Sequence, residues 1–228
     1  MKIHRFIDNF DLNKKEIEIT GEIAHQIIKV LKLKVGEKIE LSDGKGISAI
    51  AEITKIDKKS VIVKTQEIFT TQQGCVNKVI LFCCILKKEN FELVVQKATE
   101  CGVSEIVPII SARTIKTGLN LERLQKIAKE ASEQSGRAIV PEIAEPIAFA
   151  KAIEVAEGGS ILFDMSGSKF NSNNKSENKN LFIGPEGGWT EEEIKKAREA
   201  GFQISSLGTN TLRAETAAIV ATYLISNL

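Results

Sequence analysis

The amino-acid sequence predicts an α/β protein in two parts: a small β-barrel over residues 1–70 and a layered α/β domain over 75–228. Three observations carry that reading. Before residue 70, apolar and polar residues alternate with a period of two in short runs, as half-buried strands require. After residue 78, unbroken apolar runs take turns with amphipathic stretches of period 3.6, the pattern of a mostly parallel sheet covered on both faces. Between them, 69–77 (Phe-Thr-Thr-Gln-Gln-Gly-Cys-Val-Asn) is polar and aperiodic, and the domain boundary is placed there.

In the first part, Glu16-Ile17-Glu18-Ile19 is a strand by alternation. Ile23, Ile27, Val30 and Leu31 share one face of a helix over 22–33, which Gly36 follows. Lys38-Ile39-Glu40-Leu41, Ala49-Ile50-Ala51-Glu52-Ile53 and Val61-Ile62-Val63 continue the strands, with Asp43-Gly44-Lys45-Gly46 as a hairpin turn. Lys29, Lys32, Lys34 and Lys38 crowd the helix end and the next strand. They read equally as a solvated surface or as a phosphate-contacting patch.

The second part opens on the apolar run Val79–Leu86. A helix over 89–101 buries Phe91, Val94, Val95 and Ala98 and stops at Gly102. Strand 105–110 leads to a loop with the basic residues Arg113 and Lys116. A helix over 121–135 turns Leu121, Leu124, Ile127, Ala128 and Ala131 inward, and a strand near 139–144, a helix near 147–156 and strand 161–163 follow. Residues 166–180 are polar and of low complexity, which predicts a mobile surface loop.

The last fifty residues read strand, glycine loop, helix, twice over. Leu181-Phe182-Ile183 precedes Gly184-Pro185-Glu186-Gly187-Gly188, and Phe202–Leu207 precedes Gly208 and Arg213-Ala214-Glu215-Thr216-Ala217. Thr190 with Glu193 makes a capping box for helix 191–200, Trp189 stands where a hydrophobic staple is expected, and Gly201 stops the helix. The last helix, 214–226, carries Ala217, Val220, Ala221, Leu224 and Ile225 on one stripe, for core packing or for a second subunit. Glycines at strand ends let a ligand approach the backbone, and open α/β sheets bind ligands at such ends.

Composition narrows the class. A net charge of +1 neither demands nor excludes a nucleic-acid partner. Apolar runs are too short to span a membrane, and no apolar segment follows the N-terminus as in a signal peptide, so the expected location is cytoplasmic. Four cysteines without a CxxC pair, and only two histidines, argue against a metal site and for reduced, mostly buried thiols.

The two glycine loops together resemble the C-terminal motifs of the SPOUT-class rRNA methyltransferases, most nearly the bacterial family that methylates N3 of a uridine in 16S rRNA. Lys97-x-Thr99-Glu100-x-Gly102-Val103, Glu130-Ala131-x-x-Gln134-Ser135-x-Arg137 and Pro141 resemble its middle motifs. His25, Val30-Leu31 and Gly36 resemble its N-terminal domain. Asn210 and Thr211 depart from the usual Arg-Ile, and Leu124 stands where the family has an aromatic. The resemblance implies S-adenosylmethionine as methyl donor, a SPOUT (α/β knot) domain behind a PUA-like barrel that grips RNA, and a homodimer. It also implies 16S rRNA of the small ribosomal subunit as partner. Related enzymes acting on tRNA or a ribose hydroxyl, and a non-catalytic RNA-binding assembly factor, are the alternatives.

Methyl transfer from a sulfonium requires the donor and a nucleophilic nitrogen to be held in line. Gly184, Glu186, Gly187, Gly188, Leu207, Gly208, Thr211 and Leu212 are assigned to the cofactor, most of them by the resemblance. Uridine N3 must lose its proton, and Arg213 is the candidate to stabilise the charge that spreads onto the carbonyl oxygens. A salt bridge to Glu215 or Glu186 is its alternative role. Lys32, Arg113, Lys116 and Arg137 are candidate RNA contacts. His25 reads as a packed or capping residue or as an RNA contact, and Gln134 and Glu100 as anchors for a second subunit or RNA.

Overall fold

The computed structural model describes residues 3–70, 78–115, 117–171 and 179–227. They fall into two units. The first takes Met1–Gly74 together with Ser132–Val140, and the second takes Cys75–Ala131 and Pro141–Leu228. Of the boundary expected at 69–77, Phe69 and Thr70 end a strand, and 71–77 lies outside the described residues.

The first unit is a five-stranded sheet built from β1 (His4–Ile7), β2 (Glu16–Ile19), β3 (Lys38–Ser42), β4 (Ile47–Ile56) and β5 (Val61–Thr70), in the order β1-β3-β4-β5-β2. β1 was not expected from the sequence. Its four residues run parallel to β3 and bury Phe6 and Ile7 without a clear alternation. The turn at 43–46 forms as expected, because Asp43 Oδ1 accepts from Lys45 N at 2.7 Å and Ile47 N at 3.0 Å. The long strands shift register at Ile50/Ala51 and Ile53/Lys55, and such bulges bend a sheet. Ser132–Val140 joins this unit: Ile7 N donates to Glu133 Oε1 at 2.7 Å, and Lys45 bridges to Ile139.

The expected helix 22–33 is a five-residue α1 (Gly21–His25) that widens into a π-helical turn, Gln26–Leu31. A wider turn rotates later residues away from the face that a 3.6 period assigns them. Ile23 and Ile27 are buried as expected, but Val30 is 63% exposed. The turn ends at Lys32, the one non-glycine with positive φ (54°) among the described residues. His25 is exposed in the last turn of α1 rather than packed.

The second unit holds one parallel sheet. Its elements are β6 (Val79–Cys84), α2 (Lys88–Cys101), β7 (Glu105–Ile110), α3 (Leu121–Ser135), β8 (Glu142–Ile143), β9 (Ile147–Ala148), α4 (Phe149–Val155), β10 (Gly159–Lys169), β11 (Lys179–Ile183), α5 (Glu191–Glu199), β12 (Gln203–Ser206) and α6 (Ala214–Ser226). The order is β12-β10-β11-β6-β7-β8, with β9 also on β7, and every pairing is parallel. Central strands are buried on both faces, which is why β6 and β11 read as unbroken apolar runs. Phe82 and Phe182 stack at 4.5 Å on one face, with Phe149, Trp189 and Phe202 around them. α6 turns back from the edge strand β12 to pack on α2, β11 and β6.

Two expectations change here. Ser166–Lys169 is not loop but the end of β10, pairing with β12 after a register shift between Phe163 and Ser168. Backbone bonds hold this stretch, so its side chains carry no apolar signal. Lys179 and Asn180 likewise begin β11, and 172–178 of the expected loop lies outside the described residues. In α6 the buried set is Glu215, Ala218, Ala221, Thr222 and Ile225, whereas Leu224 is 40% exposed. Only Ala221 and Ile225 of the expected stripe are buried.

Candidate active site

β10 lies between β11 and β12, and the three run parallel. The loops leaving β11 and β12 therefore emerge on the same side, flanking the end of β10. This places two loops some twenty residues apart in sequence on one cavity of about 600 Å³. The first loop contributes Gly184, Pro185, Glu186, Gly188 and Trp189. The second contributes Leu207, Asn210, Thr211, Leu212 and Arg213, and α6 adds Ala214, Glu215 and Ala217. Lys87 and Asn90, at the start of α2, complete the wall with Phe163, Asp164 and Met165 of β10.

Of the eight positions assigned to the cofactor, Gly184, Glu186, Gly188, Leu207, Thr211 and Leu212 line this cavity. Gly187 and Gly208 are not on its lining. A Cβ at Gly187 would meet the Arg113 side chain at 3.4 Å, so a larger residue there contacts Arg113 before it contacts the cavity. Gly188 has φ +68° and nothing within 4 Å of a Cβ, the open left-handed position that only glycine takes without strain. Gly184 lies against Trp189, whose ring would stand 3.1 Å from an added Cβ.

The first loop is tied down at its exit. The Thr190–Glu193 capping box forms as expected, with both reciprocal bonds present. Trp189 is buried and donates its indole Nε1–H to the Phe163 carbonyl at 3.1 Å. Ile194 packs against the same cluster as Trp189, the staple expected from the sequence.

Asp164 and Met165 were not singled out from the sequence. They sit where β10 bulges between its two pairings with Ser205. Asp164 Oδ1 accepts from Ser166 N at 2.8 Å and Ser166 Oγ at 2.7 Å, closing the bulge. Gly167 then passes so close to β12 that a Cβ would stand 2.5 Å from Ser205 N. The sequence signal was present: Asp-x-Ser-Gly directly behind an apolar run marks a turn or bulge rather than a flexible linker.

Arg213 is exposed at the N-cap of α6, where its carbonyl accepts from Ala217 N at 2.8 Å. Its guanidinium has no hydrogen bond or ion pair among the described residues, so neither Glu186 nor Glu215 holds it. Three carboxylates share the wall: Asp164, Glu186 and Glu215. Glu186 accepts from Lys87 N at 3.3 Å, and Glu215 is buried in the first turn of α6. Behind the wall, burial pushes the Cys83 thiol well up and that of Cys84 up to about 12. Cys83, Cys84 and Cys101 are free, and Cys75 lies outside the described residues.

The candidate RNA contacts divide. Arg113 lies on the first glycine loop and donates from Nη1 to Gly187 O at 2.7 Å and Trp189 O at 3.2 Å. Lys32 is exposed in the first unit, Arg137 is half-buried in Ser132–Val140, and Lys116 lies outside the described residues. Gln134 is exposed, and Glu100 pairs with Lys97 at 2.8 Å. Among the described residues no group of side chains could hold a metal ion, and no helix is long and apolar enough to cross a membrane.

Comparison with known proteins agrees with this geometry. The RNA methyltransferase domain family matches residues 74–226, and the RNA methyltransferase PUA domain family matches 19–66. The ribosomal RNA small subunit methyltransferase E of Bacillus subtilis is 30% identical over 240 residues, covering 95% of this chain and 94% of that protein. Its namesake in Synechocystis sp. is 33% identical over 216 residues, covering 90% and 71%. The crystal structure of the Neisseria gonorrhoeae ribosomal RNA small subunit methyltransferase E bound to S-adenosyl methionine superposes with a TM-score of 0.91 at 30% identity, covering 99% and 98%. The chain belongs to the ribosomal RNA small subunit methyltransferase E family, with a SPOUT (α/β knot) domain behind a PUA-like one.

Proposed function

We propose that this chain methylates N3 of a uridine in small-subunit ribosomal RNA, with S-adenosylmethionine as donor, acting on the assembled subunit as a cytoplasmic homodimer. The observation that carries the reading is one cavity walled by both glycine loops, with Arg213 on its wall, its guanidinium unpaired among the described residues.

The cavity fits the donor. Its volume of about 600 Å³ suits a nucleoside-sized ligand. Phe163, Met165, Leu207 and Leu212 offer apolar surface, and Gly188 leaves the backbone bare. Three carboxylates against Lys87 and Arg213 make the wall favourable to a cation. When bound, S-adenosylmethionine supplies an electrophilic methyl on a sulfonium. The two loops would hold it by backbone groups, and Glu186 and Glu215 would balance its charge.

Arg213 serves the acceptor. Its guanidinium is free to donate to a uracil carbonyl oxygen as negative charge builds there, and the charge is permanent. Lys29, Lys32, Lys34 and Lys38 in the first unit are all exposed, which supports phosphate contacts. Leu93 on α2 and Tyr223 and Leu224 on α6 are exposed apolar residues on two helices that pack together, a surface suited to a second copy.

The test is mass mapping of modified nucleosides in small-subunit rRNA from cells with and without this chain. Loss of one 3-methyluridine on deletion supports the reading. An unchanged uridine profile, with a different nucleoside lost, sinks the N3 assignment.

A further inference from the structure

The loop between β7 and α3 is bound to the first glycine loop at two points. The Arg113 guanidinium donates from Nη1 to the carbonyls of Gly187 and Trp189, at 2.7 and 3.2 Å. One residue earlier, Ala112 N donates to Glu193 Oε1 at 2.9 Å, while Glu193 Oε2 accepts from Thr190 N. The carbonyls that Arg113 holds bracket Gly188, the left-handed residue on the cavity wall. The arginine stem lies flat on the loop, with Cδ and Cβ at 3.4 and 3.5 Å from where a Gly187 Cβ would stand.

A guanidinium positioned to grip a phosphate turns its donors outward. Here Nη1 is turned inward and shared between the carbonyls on either side of Gly188, which lines the cavity. We infer that Arg113 is a positioning residue for the first glycine loop, setting cofactor affinity rather than contacting RNA. The physical need is clear: a Gly-Gly segment has the most backbone freedom to lose on binding, and a charge-assisted clamp removes that freedom beforehand. The inference rests on the cavity's being the S-adenosylmethionine site.

Trp189 is the only tryptophan in the chain and lies on the cavity wall, so its fluorescence reports on this loop alone. Two readouts are compared in wild type, Arg113→Met and Arg113→Lys: acrylamide quenching of Trp189 without cofactor, and titration with S-adenosylmethionine. Arg113→Met is expected to expose Trp189 to acrylamide and to weaken the cofactor about tenfold or more, with Arg113→Lys between it and wild type. At saturating cofactor, KM for small ribosomal subunits and its salt dependence should match wild type. An Arg113→Met protein with unchanged quenching and cofactor affinity overturns the inference. Raised KM for subunits and a salt slope reduced by about one would then mark a phosphate contact instead. Should wild type bind no cofactor while quenching still responds to Arg113→Met, the positioning role stands and the reading of the cavity falls.

Discussion

The indole Nε1 of Trp189 donates to the carbonyl oxygen of Phe163 at 3.1 Å, and that bond joins the exit of the first glycine loop to the start of the β10 bulge. One donor thus links two cavity walls. Trp189→Phe keeps an aromatic ring but removes this bond and part of a buried side chain, a loss of about 1–3 kcal/mol. We expect the melting temperature to fall by several degrees, roughly 2–4 °C for each kcal/mol in a chain of this size. Differential scanning calorimetry checks it, and an unchanged midpoint would mean the bond contributes nothing net.

Neighbouring glycines of the first loop should behave differently. Gly188 has φ +68°, where an L side chain costs about 1–2 kcal/mol, and it faces the cavity. Gly187 has no such backbone requirement, and its added Cβ makes an ordinary contact with Arg113. Gly188→Ala should therefore lower both thermal stability and cofactor affinity, while Gly187→Ala stays close to wild type in both. Titration calorimetry of the two variants side by side decides it, and the reverse order would refute this view of the loop.

Local chemistry made some of this legible from residues alone. The Thr190–Glu193 box, the Gly102 stop (φ 104°) and the Asp43 turn are written in single side chains, and each formed as read. Helix 121–135 keeps its expected limits. The features that single side chains do not encode depend on partners distant in sequence. β1 exists because β3 lies beside it. The polar end of β10 is a strand because Gly167 lets it approach β12. Val30 is exposed because a π-helical turn broke the 3.6 period on which its placement rested. The cavity itself was half legible. Both loops could be read, but Asp164, Met165, Lys87 and Asn90 reach it only through the sheet order.

Arg213 should separate chemistry from binding. Its guanidinium supports nothing in the fold among the described residues, and its N-cap contribution is a backbone carbonyl that any residue supplies. Arg213→Ala is expected to leave the melting temperature and the S-adenosylmethionine affinity nearly unchanged. Methyl transfer should fall about 10²–10³-fold, the usual cost of losing one donor to developing charge. Tritium transfer from labelled donor to small subunits gives the rate. Turnover at the wild-type level would remove Arg213 from the mechanism.

The buried thiols set an alkaline limit on stability. Burial, the largest cause, raises Cys84 from its ordinary 9.0 to about 12 and lifts Cys83 well above the same value. Each thiol then holds its proton more tightly in the folded chain than in the unfolded one. Their contribution is fully present below pH 9.0 and is lost as the pH climbs towards 12, because the unfolded chain ionises first. Urea midpoints measured from about pH 8 to about pH 10.5 should therefore decline. Cys84→Ala removes one titrating group at the cost of some packing, so its midpoint should start lower yet fall less steeply above pH 9.0. Parallel curves for the two proteins would show that Cys84 does not govern the alkaline loss.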